Sequence, residues 1–515
     1  MRLLPALSQP TFPLHSVGAT RAIERQLLID DSDGQWMLKA GEAASRLARA
    51  IAPHAKTIAI ACGTGHNGGD GYAMAAALCA ALNPSDTNIF VMQVGTSAPS
   101  SLTQKLRQQA LSKGAIEIHE WPKVVDLAVD AMLGIGAQGA LRPDVTEVLL
   151  QLQKAPILLS LDVPSGLNAD SGEWMADERL PSTPSPLQSR YTLGFLTLKP
   201  GLMTGAGRDW SGTTWWSDLG ASWDNQLDNQ PSAVFHNQGA SQVRHAHQSH
   251  KGSYGDVVVL AGQAPDAHRA GMLGAGALAA RAALHSGAGR VTWVPLGSAD
   301  IGSPLWDPMQ PDVMVRQPDQ WRQEPHNARE VWVVGSGGGD AVADVLPMAL
   351  SHPGPLVVDA DALNHMAVNS SLLDDFARRG QQDHLQVFTP HPLEAGRLLG
   401  LTSAQVQRDR LGCAAHLANT LCGVVVLKGS GSIIAAPGLT PLLNASGNAR
   451  LATGGTGDVL AGAIAGRLAA QSPATWAICQ SLVATTVWEH GHFADRWPTN
   501  QGLTASRLTQ AFCRP

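Results

Sequence analysis

No run in this 515-residue sequence approaches the roughly 18 consecutive apolar residues that a membrane-spanning helix requires. Clustered positive charge is also absent. Against 36 Lys+Arg stand 42 Asp+Glu, the formal net charge is −6, and the pI is near 6.3. With no long basic run, a nucleic-acid partner is not expected. Cysteine is scarce, and the six present (Cys62, Cys79, Cys413, Cys422, Cys479, Cys513) form no CxxC pair. That spacing excludes a zinc ribbon or a thioredoxin-like motif, and a reducing, cytoplasmic setting is expected. The opening stretch MRLLPALSQPTFPLHS has a single arginine, and three prolines interrupt its apolar residues, so it reads as a poor signal peptide. The phosphate-binding pattern GxxxxGK[ST] does not occur, which removes a Walker-type nucleotide cradle. What remains is 44% hydrophobic with 53 glycines, the composition of globular α/β material, on a length that suits about three domains.

The order of patterns divides the chain. From Thr57, the apolar runs TIAIAC, NIFVMQVG, VDLAVDAMLG and APILLSLDVPSG alternate with helical stretches. Continuous apolar runs of this kind read as buried parallel strands, with function gathered at their C-terminal ends. The first half is therefore expected to be a Rossmann-like, doubly wound sheet. Between Ser222 and Ser249 the chain is rich in Asn, Gln and Ser with no sustained period, which reads as a linker. The expected domains are residues 1–222 and 241–515, joined by residues 223–240. Within this seam HAHQSH brings His245, His247 and His250 close in sequence, but the spacing fits no zinc pattern and reads as a solvated cluster. The second half restarts with GDVVVLAG, then GAGALAARAALHSGAG, VWVVGSGGG, PLVVDADALN, LQVFTPHPLEAGRLLG and GVVVLKGSGSIIAA. Strand again alternates with helix, so a second, mostly parallel α/β sheet is expected.

Near the C-terminus, ATGGTGDVLAGAIAG suits phosphate without a P-loop. Gly454, Gly455 and Gly457 leave backbone N–H groups uncovered where a helix is expected to begin, at Asp458. Such a helix start attracts anions through free donors and its dipole. A carboxylate there can take the proton of a hydroxyl that attacks a held phosphoryl group. The plainer alternative is that Asp458 only caps the helix. Upstream, the Lys-Gly-Ser-Gly turn of VVVLKGSGSIIAA would let Lys428, Ser430 and Ser432 line phosphates. FTPHPLEAGRLLG places His391 at a strand end, where it is either a ligand contact or a capped loop histidine, and Glu394 in a first helical turn.

Together these segments resemble the ribokinase-like superfamily. Six ordered motifs over 241–515 (HKGSYGDVVVLAGQ, GAGALAARAALHSGAGRVT, VVDADALN, TPHPLEAGRLLG, LKGSGSIIA, GNARLATGGTGDVLAGAIAG) narrow this to the ADP- or ATP-dependent NAD(P)H-hydrate dehydratase family. The resemblance implies a nicotinamide ring hydrated at C6, whose hydroxyl is phosphorylated by ADP or ATP taken with magnesium. Phosphate then leaves and NAD(P)H is restored. It further implies that Asp458 is the base, that Ala275, Gly337, His391 and Asp458 contact the hydrate, and that Lys428, Gly429, Ser430, Gly431, Ser432 and Gly457 contact the nucleotide. In GSGGG, Gly335–Gly339, this chain lacks the proline and bulky apolar residue usual among those glycines.

The first half carries Gly63-x-Gly65-x-x-Gly68 after a strand, the formal dinucleotide fingerprint. A redox domain also needs an acid about 20 positions on, at the end of the second strand. NIFVMQVG ends instead in Gly-Thr-Ser. Other polar residues converge: Asn67 and Asp70 in the glycine loop, Asp130 after its strand, and Asp162 and Ser165 in LLSLDVPSG. Strand ends of a doubly wound sheet share one crevice, and oxygen-only ligands suit a hard cation. Alone, Asp162 would read as the cap of a turn before Pro164. The motifs GTGHNGGDGYA, VDAMLGIGAQGALR, LDVPSGLNADSG and TLKPGL resemble the NAD(P)H-hydrate epimerase family. That resemblance implies a potassium ion on Asn67, Asp130 and Ser165. The hydrate would lie along His66, Asn67, Gly68, Gly69 and Asp70 and along Gly134, Ile135, Gly136, Ala137, Gln138, Gly139 and Ala140, with Asp162 as the acid/base. His66 stands where Asn is common in that family.

The two halves imply one logic. Spontaneous hydration yields R and S epimers, and a stereospecific phosphorylation site takes only S, so an epimerase opens the whole pool to repair. The implied partners are the small molecules NADHX and NADPHX, with no nucleic acid and no membrane, in a cytoplasmic homo-oligomer. One alternative is a sugar or vitamin-precursor kinase with a fused Rossmann-like binding domain. Another is a non-catalytic scaffold role for the first half, which would be expected to have lost Asp162, Asn67, Asp130 and Ser165.

Overall fold

The computed structural model describes residues 2–27, 34–96, 100–137, 139–175, 178–223, 230–239, 247–265, 271–297 and 307–512. Gln138, His245 and Cys513 lie outside the described residues, as do residues 224–229 and 240 of the expected linker. The chain divides into two units, Met1–Val234 and Phe235–Pro515.

The first unit is built on the expected doubly wound sheet. From one edge its strands are Leu4–Pro5, Thr213–Ser217, Ser189–Phe195, Ile157–Leu161, Leu127–Ala131, Thr57–Cys62, Asn88–Gln93 and Ile116–Glu117. All neighbours pair in parallel except Leu4–Pro5, which runs antiparallel to Thr213–Ser217. Alternate residues of one strand serve two cores. Ile58, Ile60 and Cys62 pack with helices Gln35–Ile51, His66–Ala81 and Ser101–Ser112, while Ala59 and Ala61 pack with Pro143–Leu152. Burial on both faces explains why these strands read as unbroken apolar runs. From Thr57–Cys62 the chain winds outward, then crosses back to lay Leu127–Ala131 on the other side of that first strand. This reversal opens a crevice at the strands' C-terminal ends.

In the second unit, the strands Met314–Val315, Arg290–Leu296, Asp256–Gln263, Glu330–Val334, Leu356–Val358, Gln386–Phe388 and Val424–Leu427 are consecutive parallel neighbours. Ile433–Ala435 and Leu442–Asn444 then extend the sheet antiparallel. The Lys-Gly-Ser-Gly segment is thus the tight turn of a hairpin, with Leu427 opposite Ile433. Helices Leu273–His285 and Thr456–Gln471 pack against each other at glycine-permitted distance. A Cβ on Gly462 would fall 2.0 Å from the Ala279 carbonyl oxygen, and one on Gly466 2.3 Å from that of Ala283.

Two local readings shift. The helix expected from Asp458 begins at Thr456, so Asp458 lies in its first turn; Gly455 is the N-cap, at φ 92°, with no side-chain cap. The polar seam contains a strand, Ala233–His236, too short to give a sustained period.

Candidate functional sites

In the first unit, a cavity of about 430 Å³ opens at the strand reversal and is lined by Asn67, Asp70, Gly134 and Asp162, among others. Two of the three fingerprint glycines, Gly63 and Gly68, serve backbone packing here. A Cβ on Gly63 would meet the Met132 carbonyl oxygen at 1.9 Å, and one on Gly68 would meet that of Gly63 at 1.8 Å. They bring helix His66–Ala81 against the strand end and carry Asn67 into the crevice.

Asp162 directly follows its strand and sits at φ 63°, a left-handed conformation that costs energy in a residue other than glycine. Its N–H donates to the Leu193 carbonyl at 2.8 Å, which holds that conformation in place. Oδ1 accepts from Lys199 Nζ at 2.5 Å, and Oδ2 accepts from the Ile135 N–H at 3.3 Å. Lys199 is 1% exposed, and it also donates to the Phe195 and Thr197 carbonyls, both at 3.1 Å. All three ammonium hydrogens are thereby engaged, and the charge is buried against Asp162. Asp162 is therefore one half of a partly buried ion pair at a cavity wall, more than the cap of a turn. Lys199 was not foreseen as a site residue, although it lies in TLKPGL, where a lysine among apolar neighbours was the available signal.

Asp130, Ser165 and Asn67 meet around Leu133. Ser165 donates its hydroxyl to Asp130 Oδ1 at 2.6 Å and its N–H to Oδ2 at 2.7 Å, while Leu133 N–H donates to Ser165 Oγ at 3.0 Å. Asn67 Nδ2 donates to the Leu133 carbonyl at 2.8 Å and to that of Leu161 at 3.2 Å. Asn67 Oδ1 is buried with no hydrogen-bond partner among the described residues. A buried orphan oxygen is costly unless something occupies it. The donor set is all oxygen, so these residues fit a hard cation. Burial pushes the Asp130 carboxyl above its usual range, with the Ser165 hydrogen bonds opposing. Burial also raises Asp70 well above the carboxylate norm, reinforced by the charges of Asp162 and Glu24 and opposed by Lys199.

The second unit gathers a different cluster at its strand ends. Asp359 follows Leu356–Val358 and is 1% exposed. It accepts from Lys428 Nζ at 3.0 Å, from Thr389 Oγ1 at 2.6 Å and from Ser336 Oγ at 2.9 Å. Glu394 stands 4.0 Å from the same ammonium. Burial works against the Lys428 charge, but Asp359 and Glu394 outweigh it and hold its pKa above the ordinary lysine value. A Cβ on Gly457 would lie 3.4 Å from Lys428 Nζ, which places this cation beside the helix start. Asp458 is pushed up to about 7, first by burial and then by Asp359; Lys428 and a Ser336 hydrogen bond pull the other way. A carboxyl poised there suits proton abstraction at neutral pH. Gly337, at φ 57°, adjoins Ala275, whose Cβ lies 2.6 Å from where a Cβ would stand.

His391 is the N-cap of helix Pro392–Leu399. Its Nδ1 accepts from the Leu393 and Glu394 N–H groups at 3.1 and 3.3 Å, and Glu394 Oε2 accepts from the His391 N–H at 2.8 Å. Nε2 in turn stands 3.2 Å from Glu394 Oε1. Burial and the Lys428 charge lower the His391 pKa. Behind the Lys428–Ser432 turn, buried Arg410 reaches the Leu427, Lys428 and Gly431 carbonyls at 3.3–3.4 Å. Asp359, Ser336 and Arg410 were missed in sequence, although VVDADALN displays the first of them.

Both sites can now be set beside known proteins. Residues 240–514 match the NAD(P)H-hydrate dehydratase family, and residues 34–201 match the YjeF-related protein N-terminus. The bifunctional NAD(P)H-hydrate repair enzyme Nnr of Escherichia coli (strain K12) is 34% identical over 93% of this chain and 88% of its own length. This chain belongs to the bifunctional NAD(P)H-hydrate repair enzyme family. The ADP-dependent (S)-NAD(P)H-hydrate dehydratase of Neisseria meningitidis (serogroup B, strain MC58) is 37% identical over 51% of this chain and 84% of its own. Among solved structures, the ADP/ATP-dependent NAD(P)H-hydrate dehydratase of Bacillus subtilis, co-crystallized with ATP/Mg2+, is similar. Its identity is 29% and its TM-score 0.42, covering 52% of this chain and 91% of that one. Members of this repair family are two-domain α/β enzymes, and no helix among the described residues here is long and apolar enough to cross a membrane.

Proposed function

We propose that the chain repairs hydrated NADH and NADPH. The first unit interconverts the R and S epimers, and the second dehydrates the S epimer with ADP or ATP, taken as its magnesium complex. The observation that carries the second activity is Asp458, at about 7 in the first turn of a glycine-lined helix start, with Lys428 alongside. Asp458 takes the C6 hydroxyl proton as that oxygen attacks the terminal phosphoryl group, held by the Gly454–Gly457 N–H donors and the Lys428–Ser432 turn. The ring nitrogen's lone pair expels phosphate, and loss of the C5 proton restores the dihydronicotinamide. Ala275, Gly337 and His391 position the hydrate, with Gly457 at the nucleotide.

In the first unit Asp162, paired with Lys199, serves as the acid/base at C6, and the hydrate lies along residues 66–70 and 134–140. Asn67, Asp130 and Ser165 would hold a potassium ion, which supplies fixed positive charge beside the nicotinamide. The intact acid and cation donor set favours catalysis over a scaffold role, and family membership favours dehydration over release of a stable phosphorylated product. A cytoplasmic homo-oligomer belongs to the same reading. The test incubates the full chain with mixed R and S hydrates plus ADP or ATP, following the near-ultraviolet absorbance of reduced nicotinamide and free phosphate. Complete conversion with one phosphate per hydrate is expected. Phosphorylated hydrate accumulating without recovered absorbance would return the kinase reading.

A further inference from the structure

Inversion at C6 needs proton transfer on both faces of the ring, and one carboxylate serves one face. The cavity around Asp162 holds a second candidate. Glu24, on helix Val17–Leu27, lines the same cavity from an element different from the strand end that carries Asp162. It lies outside the stretch matched to the YjeF-related N-terminus, residues 34–201. From the geometry we infer that Glu24 is the second catalytic acid/base of epimerisation, working across the nicotinamide ring from Asp162. The inference rests on the epimerase reading of this unit.

The electrostatics of the cavity separate the two carboxyls by role. Asp162 Oδ1 accepts from the buried Lys199 ammonium at 2.5 Å, which fixes that carboxyl at the cavity wall. Among the described residues, Glu24 has no such partner at hydrogen-bond distance. Burial raises its pKa; Lys199 opposes, the Asp162 charge adds to the rise, and Arg21 opposes. Asp70, itself raised, faces the same space and contributes no competing cation. Two carboxyls on different elements of one cavity, one held against a lysine and one not, are suited to different proton-transfer roles.

The step balances as follows. Glu24 gives its proton to the C6 hydroxyl, the C6–O bond breaks, and water leaves as the ring nitrogen's lone pair forms a C=N bond. Water then adds to C6 from the other face and passes its proton to Asp162. One turn leaves Glu24 ionised and Asp162 protonated, the state from which the reverse inversion starts; exchange with solvent resets the pair. No oxidant or further reactant is required.

The experiment uses the full chain and pure R-hydrate without nucleotide, following epimer exchange by chromatography and oxygen exchange at C6 in isotopically labelled water. Wild type comes first: if it exchanges no epimers, the epimerase reading falls and the role of Glu24 falls with it. If wild type exchanges, Glu24→Gln is expected to slow both signals together by at least about 100-fold, while S-hydrate dehydration with ADP continues at the normal rate. The high-pH decline of the exchange profile, which reports loss of the Glu24 proton, should disappear in the residual activity. Glu24→Asp, which keeps a carboxyl, is expected to regain at least about a tenth of wild-type exchange. Exchange by Glu24→Gln at the wild-type rate, or Glu24→Asp as slow as Glu24→Gln, would overturn the inference.

Discussion

At the scale of single residues, the second site turns on a carboxyl whose environment opposes its charge. Asp458 is pushed up to about 7, against an ordinary aspartate value of 3.8, chiefly by burial. In the proposed reaction the ionised form is the base, so turnover of S-hydrate should rise with pH through about 7 and level off above it. Asp458→Asn keeps size but cannot accept the proton, and dehydration should fall by at least about 100-fold with nucleotide affinity retained. Stability moves the opposite way. A carboxyl with a raised folded pKa contributes stability below its unfolded pKa, and that contribution is lost as pH rises through the folded value. Asp458→Asn should therefore unfold at higher urea than wild type above neutral pH, with the advantage shrinking towards pH 4. Loss of activity without this gain would mean that the raised pKa is not relieved by the substitution. Asp458 and Asp162 were legible in sequence because each sits in a short motif whose glycines or proline announce a turn. Lys199, Ser336 and Arg410 were not. Their roles come from partners 37, 23 and up to 21 positions away, and no local period records such pairings.

At the scale of elements, both sites sit where parallel strands end, and the apolar runs made those strands visible. Boundaries were harder. Helix Thr456–Gln471 starts two residues before Asp458 because Gly455 takes the left-handed N-cap conformation, a choice that a run of glycines leaves open. The spacing Gly462-x-x-x-Gly466 carries a separate constraint. An alanine in a helix interior ordinarily gains about 1 kcal/mol over glycine. Here a Cβ at 462 would stand 2.0 Å from the Ala279 carbonyl oxygen, a backbone atom that cannot swing aside. Gly462→Ala must push this helix from Leu273–His285, a cost of about 1–3 kcal/mol or more that outweighs the gain. The urea midpoint of this unit should drop, and because the same helix presents Asp458 at one end and Ala275 lies on the other, KM for the hydrate should rise. A midpoint at or above wild type would show that the helices separate without cost.

At the scale of the whole molecule, two chemistries on one chain raise the question of whether the hydrate must stay bound between them. Each unit carries its own strand-end site and its own acid, Asp162 at a cavity wall in the first and Asp458 at a helix start in the second. Nothing in either chemistry requires the intermediate to be covalently held, since the product of epimerisation is a free S-hydrate. Asp162→Asn should consume the S half of an equal R/S mixture with ADP and then stall, over times short against spontaneous epimerisation. Asp458→Asn should exchange epimers without consuming nucleotide. Mixed in one tube, the two variants should carry the R/S pool to completion, because S-hydrate released by one chain is substrate for the other. The rate should scale with the concentration of whichever variant is limiting. Should the mixture stall at half, the epimer made in the first unit is not released to solvent, and transfer within one chain would be the reason the two activities are fused.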